Sequence, residues 1–349
     1  MNNFSSSIID WYNDNSRDLP WRRTTDPYKI WLSEIILQQT RVDQGLPYYL
    51  KFIDKFPKIE SLAEAHEQDV LKAWQGLGYY SRARNLHFTA KYIVKNYDSV
   101  FPSNHAELLS LKGVGDYTAS AIASFCFNLP HAVLDGNVSR VLSRYLAIEI
   151  PINSTIGRKY LRRIAQDLLD ENRASIYNQA IMEFGALQCT PNKPDCNNCP
   201  ISNTCASFGT ELVDILPLKS KSSSIKKRYF NYLIVSTSSG DTFIQKRTSG
   251  IWKSLFEFPL IEGNLSLEEI QESIIWQELF RNEKVRINNI SNQIEHLLSH
   301  QRILATFIHI SVDSIDHNYN HLNRVTWEDI NTYPIPRLID KYLSLTINK

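Results

Sequence analysis

Cys189, Cys196, Cys199 and Cys205 fall within the segment ALQCTPNKPDCNNCPISNTCASF, separated by six, two and five residues. The rest of that segment is mostly Pro, Asn, Ser and Thr, with too little apolar surface to hold a shape unaided. Thiolates gathered this tightly suit a metal or an iron–sulfur cluster, whose ligation staples such a loop. The spacing is not the usual two CxxC pairs of a zinc site. Whatever the chain folds into must therefore bring four thiols together at this point.

Clustered thiols favour metal binding over disulfides only in a chain that is not exported. The N-terminal MNNFSSSIIDWY lacks the basic start and apolar core of a signal peptide. No apolar stretch is long enough to span a bilayer. The chain thus reads as cytoplasmic, with no membrane partner. The fifth cysteine, Cys126, lies in the apolar run AIASFCF and reads as a small buried residue. A length of 349 residues with 43% apolar content fits two or three ordinary cores. The net charge of +1 conceals a basic run: Lys219, Lys221, Lys226, Lys227 and Arg228.

Apolar positions recur at three and four residues from the N-terminus to about residue 185, as in YLRRIAQDLL and VSRVLSRYLAI. That period predicts helices, broken at Pro and Gly. After the cysteines, LPLKSKSSSIKKRY has the composition of a linker. Beyond it YFNYLIVST, SSGD and TFIQKR read as a hairpin, ILATFIHISV and RVTWEDI as further strands, and LSLEEIQESIIWQEL as a helix. The fold class expected is a mainly α region followed by an α/β domain.

Three segments of the helical region carry chemistry. In SLKGVGDYTASAIASF, Gly113 and Gly115 permit a tight turn between two helices. Its amides, with Lys112 and Val114 beside them, either make an ordinary helix–helix turn or hold a DNA phosphate. In AVLDGNVSRVLSRY, Asp135 precedes a helix. It is either an N-cap or a carboxylate facing positive charge on a sugar, in which case Asn137 carries the cap. In TTDPYKIWLSEIILQQTRV, Asp26 and Pro27 start a helix that is apolar on nearly every face except for Ser33 and Glu34. A glutamate there either reaches solvent at the rim or is buried with a raised pKa, ready to donate a proton. In GLGYYSRARN, Gly76 and Gly78 allow a sharp turn presenting Leu77, Tyr79 and Tyr80 beside Arg82 and Arg84.

The combination resembles the helix-hairpin-helix DNA glycosylases, in which such cysteines bind a 4Fe–4S cluster. Within them LPWR, WLSEIILQQTRV, GLGYYSRARNL and LDGNVSRVLSR resemble the MutY-type adenine DNA glycosylases, which remove adenine mispaired with 8-oxoguanine. The resemblance covers residue 8 to the cysteine loop and continues more weakly to the C-terminus. It implies a six-helix core at about 26–134, cluster-side helices at 1–25 and 135–208, a linker at 209–228 and a Nudix-like domain at 229–349. It implies that Glu34 protonates adenine and that Asp135 stabilises the oxocarbenium-like sugar, two carboxylates flanking a glycosidic bond. Tyr117 and Asn137 would line the pocket, and Arg17, Arg22 and Glu183 would bind the adenine. Gln39 and Tyr79 would wedge into the duplex as the base is flipped, with Thr40 and Leu77 also among the substrate-binding residues.

The related glycosylase/lyases carry a nucleophilic lysine two residues after the GVG turn, where this chain has Tyr117. Without that amine no Schiff base forms, so the resemblance implies a monofunctional enzyme. TSGIWKSLFEFPL resembles a Nudix strand and loop, but no later acidic run of the magnesium-binding kind follows. The domain is therefore expected to recognise the lesion without hydrolase activity. Where the family has Phe-Ser-His, this chain has Leu298, Ser299 and His300. Ser139 is a second departure, at a position where relatives carry Lys or Met. The expected partner is double-stranded DNA with an A:8-oxoguanine or A:G mismatch, engaged by a monomer at the bacterial nucleoid. Two other readings remain open: a glycosylase/lyase for damaged pyrimidines, and a non-catalytic iron–sulfur DNA-binding protein.

Overall fold

The computed structural model describes residues 2–220, 225–281, 283–313 and 322–346. Lys221 and the serines that follow it, the centre of the expected linker, lie outside the described residues, as do 347–349. The chain forms two compact units, one of Met1–Glu64 with Asn85–Lys221, the other of Ala65–Arg84 with Ser222–Lys349.

The first unit is helical: α1 Asn2–Asn15, α2 Pro27–Leu37, α3 Val42–Lys55 and α4 Ile59–Glu64. Then come α5 Glu67–Ala73 of the second unit and α6 Ser81–Asn96, whose start also belongs there. The first unit resumes with α7 His105–Ser110, α8 Asp116–Phe127, α9 Gly136–Tyr145, α10 Thr155–Asp167, α11 Ala174–Leu187 and α12 Leu212–Ile215. Its starts are written in the sequence. Asp26 accepts from Tyr28 N at 2.9 Å with Pro27 at the first helical position, and Ser154 accepts from Gly157 N at 2.9 Å. One core joins Phe4 and Ile8 of α1, Val141 and Leu142 of α9, and Tyr177 and Phe184 of α11. Each such side chain contributes about 1.5–3 kcal/mol on burial. Cys126 packs, partly buried, against this core.

The second unit holds β1 Lys226–Thr237, β2 Asp241–Lys246, β3 Phe256–Glu257 and β4 Leu260–Glu262. After α13 Leu267–Glu272 and α14 Ile274–Phe280 come β5 Arg286–Ile290, β6 Ile294–Leu297, β7 Gln301–Val312, β8 Leu322–Thr326 and α15 Arg337–Thr346. One sheet runs β4-β1-β7-β5, with β6 also on β7, and a second runs β3-β2-β8. β1 alternates by the period of a strand. Phe230, Tyr232 and Ile234 enter the core covered by α15, while Leu233 and Val235 enter the core covered by α13 and α14.

Two expectations fail here. β1 and β2 are joined by the expected turn, with Gly240 at φ 82, but they form no hairpin ladder among the described residues. β1 pairs in parallel with β7, from Lys226↔Gln301 to Thr237↔Val312, and β2 pairs with β8. Both faces of β1 are buried, which suits a central strand better than a hairpin arm. The expected single helix across LSLEEIQESIIWQEL is two, because Ser273 is extended and its hydroxyl caps α14 by accepting from Trp276 N at 3.2 Å.

Candidate active site

A cavity of about 490 Å³ opens in the helical unit, lined by Arg17, Arg22, Glu34, Tyr117, Asp135 and Asn137 among others. Because α2 buries Ile30, Trp31, Leu32, Ile35 and Ile36, it carries Glu34 inward with them. Burial pushes the Glu34 carboxyl up to about 7, although the Tyr117 hydroxyl, donating to its Oε2 at 2.7 Å, pulls the other way. The negative charge of Asp135 adds to the rise. Burial, then the charges of Glu34 and Asp135, hold the Tyr117 hydroxyl well above the usual tyrosine range. Tyr117 therefore remains a neutral donor wherever Glu34 titrates.

The cap alternative holds for Asp135, which also stands at the cavity. It is the N-cap of α9, accepting from Val138 N at 2.7 Å, and it lines the cavity. Asn137 does not carry the cap; its Nδ2 donates to Asp135 Oδ2 at 3.0 Å. Burial raises the Asp135 pKa, while these donors favour its ionised form. Ser139 turns its hydroxyl onto Asp135 O at 2.7 Å.

Glu183 of α11 sits at another wall, almost fully buried. Arg17 donates to it through Nε at 2.8 Å and a terminal nitrogen at 2.7 Å, and Arg22 at 2.9 and 2.6 Å. Burial acts to raise its pKa, but these two guanidiniums carry it down to about 2. Glu183 thus stays charged and fixes both arginines. Gln39, at φ 56, and Thr40 line the same cavity just beyond α2.

Two residues escaped the sequence reading. Arg140 joins the site to the cysteine loop, donating to Asn137 Oδ1 at 2.9 Å, Gly185 O at 2.5 Å and Cys189 O at 2.8 Å. Its signal was an arginine on the apolar helix of VSRVLSR, repeated four residues later as Arg144. Met182 also lines the cavity, its Sδ 3.7 Å from the Tyr117 hydroxyl. No pattern marks it, since a methionine in IMEFGAL reads as core.

Cys189, Cys196, Cys199 and Cys205 line one small cavity of about 30 Å³. Burial, and the charges of the neighbouring thiols, push Cys199 up to about 11. A bound cation would relieve that penalty, and Arg144 already donates to Cys189 Sγ at 3.5 Å. Among the described residues no three Cys, His, Asp or Glu converge on the position of one metal ion. Four thiols around one small cavity are a donor set that fits a thiolate-held metal or cluster.

The hairpin residues Lys112, Gly113 and Gly115 are exposed between α7 and α8, with Val114 anchored inward. In the second unit, Gly76 and Gly78 take φ 101 and 75, and the turn leaves Tyr79 45% exposed. Leu77 and Tyr80 are buried beneath it. Ser299 and His300 occupy the tip between β6 and β7, closed by Leu298 N donating to Gln301 O at 2.8 Å. Leu298 packs against the core, and the Ser299 hydroxyl meets the Tyr79 hydroxyl.

Residues 32–166 match the HhH-GPD superfamily of base excision DNA repair proteins, and residues 231–345 match a NUDIX domain. An adenine DNA glycosylase of Buchnera aphidicola subsp. Baizongia pistaciae is 38% identical over 97% of this chain and 96% of its own length. That of Mus musculus is 42% identical over 59% of this chain and 42% of its own. A thermostable thymine-DNA glycosylase superposes with a TM-score of 0.54 at 31% identity, covering 59% of this chain and 94% of that one. With 38% identity to an adenine DNA glycosylase over nearly the whole of both chains, and the HhH-GPD match within the helical unit, the chain belongs to the adenine DNA glycosylase family of the helix-hairpin-helix superfamily.

Proposed function

We propose that this protein hydrolyses the N-glycosidic bond of adenine mispaired with 8-oxoguanine or guanine in double-stranded DNA, acting as a monomer in base excision repair. The observation that carries the reading is Glu34, buried, raised to about 7 and hydrogen-bonded to Tyr117 in a cavity shared with Asp135. A carboxyl with that pKa holds its proton near neutrality and can place it on an adenine ring nitrogen. The bond from the sugar to the base then breaks with its electron pair on a neutral leaving group. Asp135 opposes the positive charge left on the sugar, through a transient adduct, and water supplies the hydroxyl of the abasic product. The Glu183 clamp on Arg17 and Arg22 gives the base a rigid, charged wall.

Strand cleavage is not part of the reaction, because no lysine lines the cavity among the described residues and the hydroxyl of Tyr117 is engaged with Glu34. Cys189, Cys196, Cys199 and Cys205 would hold a 4Fe–4S cluster. When bound it would supply the cross-link that fixes their loop. Lys112 to Gly115 would grip a backbone phosphate, Gln39 and Tyr79 would enter the duplex beside Thr40, and Ser299 and His300 would read the lesion.

The test is base release from duplexes carrying A opposite 8-oxoguanine, G or T, and from a duplex carrying an oxidised pyrimidine. Release of free adenine from the first two, without strand breakage before alkali, is expected. No release, or equal release of oxidised pyrimidines, overturns the reading.

A further inference from the structure

We propose that Phe88 sets the strength of the DNA grip by holding the Lys112 ammonium in place beside the hairpin amides. The proposal rests on the reading of the hairpin as a phosphate-binding turn. It concerns α6, a helix with no role in that reading so far.

One face of α6 supports the hairpin at three successive points. Asn85 lies so close under Gly113, at φ 82, that a Cβ there would come within 2.7 Å of the Asn85 Cβ. Thr89, fully buried, donates its hydroxyl to Lys112 O at 2.7 Å. Phe88 lies 4.3 Å below the Lys112 ammonium, measured to the ring centroid. The first two contacts fix the backbone of residues 112 and 113; the third fixes the charge.

Phe88 is 50% exposed, so core packing does not account for it. Its chemistry accounts for it better. A carboxylate partner would orient the lysine but cancel the charge a phosphate needs. A ring face attracts the ammonium through its quadrupole and leaves the positive charge whole. A free lysine loses rotamer freedom when it meets DNA, and one already held over a ring loses less. Phe88 is therefore a positioning residue that acts through Lys112.

The experiment uses the full-length protein, with Phe88→Leu, Phe88→Trp, Lys112→Ala and the Phe88→Leu/Lys112→Ala pair. Duplex affinity is measured across a salt series, together with thermal unfolding and adenine release at saturating enzyme. Lys112→Ala should lower the slope of log K against log salt by about 0.9, the loss of one phosphate contact. Phe88→Leu should weaken binding about two- to fivefold, the range of an exposed cation–π contact. It should cause no further loss in the Lys112→Ala background, and Phe88→Trp should bind at least as tightly as the natural chain. Unfolding midpoints of all variants, and the saturated release rate of Phe88→Leu, should stay unchanged. Wild-type affinity in Phe88→Leu, or an equal loss with and without Lys112, overturns the proposal. Failure of the natural chain to release adenine overturns the functional reading instead, since this comparison is read on affinity.

Discussion

Glu34 shows how one residue is tuned by its surroundings, and two consequences can be measured. Replacing it by Gln removes the transferable proton while keeping shape and most hydrogen bonding. Base release should fall by at least about 100-fold with duplex binding retained; a smaller loss, or loss of binding, contradicts the acid role. In the natural chain the single-turnover release rate should decline as pH rises through about 7. Tyr117→Phe removes the hydrogen bond that lowers the Glu34 pKa, so this limb should move to higher pH. The same shift appears in stability. Glu34 has a folded pKa of about 7 against an ordinary 4.5, so its contribution is fully present below 4.5 and is lost as pH rises through about 7. Relative to Glu34→Gln, the natural chain should lose about 3 kcal/mol of unfolding free energy over that window. Denaturation of both proteins at pH 4.5 and 8 checks it, and a constant difference would show that Glu34 is not raised. Glu34 was legible in the sequence because the apolar run that buries it is local. The clamp on Glu183 was not, since Arg17 lies 166 residues away and nothing in a pattern records that separation.

At the scale of elements, α9 combines a structural and a chemical duty at its first turn. Asp135 caps the helix through Val138 N and lines the cavity with the same carboxylate. The two duties separate by substitution. Asn caps a helix about as well as Asp, so Asp135→Asn should leave stability nearly unchanged while abolishing base release. Asp135→Ala should lose the activity and a further ~1 kcal/mol of stability. Thermal melts beside the release assay distinguish them; similar melts for both variants would remove the cap from the account. Local rules also decide which elements can be read in advance. Asp26-Pro27 and the turn at Gly240 formed as their residues require. The hairpin expectation for β1 and β2 failed because β1 found its partner in β7, through a parallel register between residues distant in sequence. Such pairings depend on burying both faces of a strand, a decision made by the whole domain.

For the whole molecule, the decisive link runs between the cysteine loop and the cavity. Arg144 of α9 donates to Thr190 O at 2.7 Å, Pro191 O at 3.0 Å and Leu216 O at 3.1 Å, while Arg140 joins Cys189 O to Asn137. The helix that presents Asp135 is thus tied by two arginines to a segment whose buried apolar side chains are Ile201 and Leu216. If a thiolate-held group staples that loop, its loss should free the carbonyls that orient Arg140 and Arg144, and disorder should spread into α9. Cys199→Ser, or removal of bound iron by a chelator, should accelerate amide exchange at residues 136–145 and 189–216 and reduce base release by more than about tenfold. The sheet cores, built from residues of the second unit such as Phe230, Phe307 and Tyr342, should keep their protection. Uniform acceleration across both units would mean that the group holds up the whole chain. Unchanged exchange in α9 would mean that the cysteine loop folds without it. The expected, uneven result places the group's effect in the helix that carries Asp135, so that the thiols sustain the reaction without touching the base.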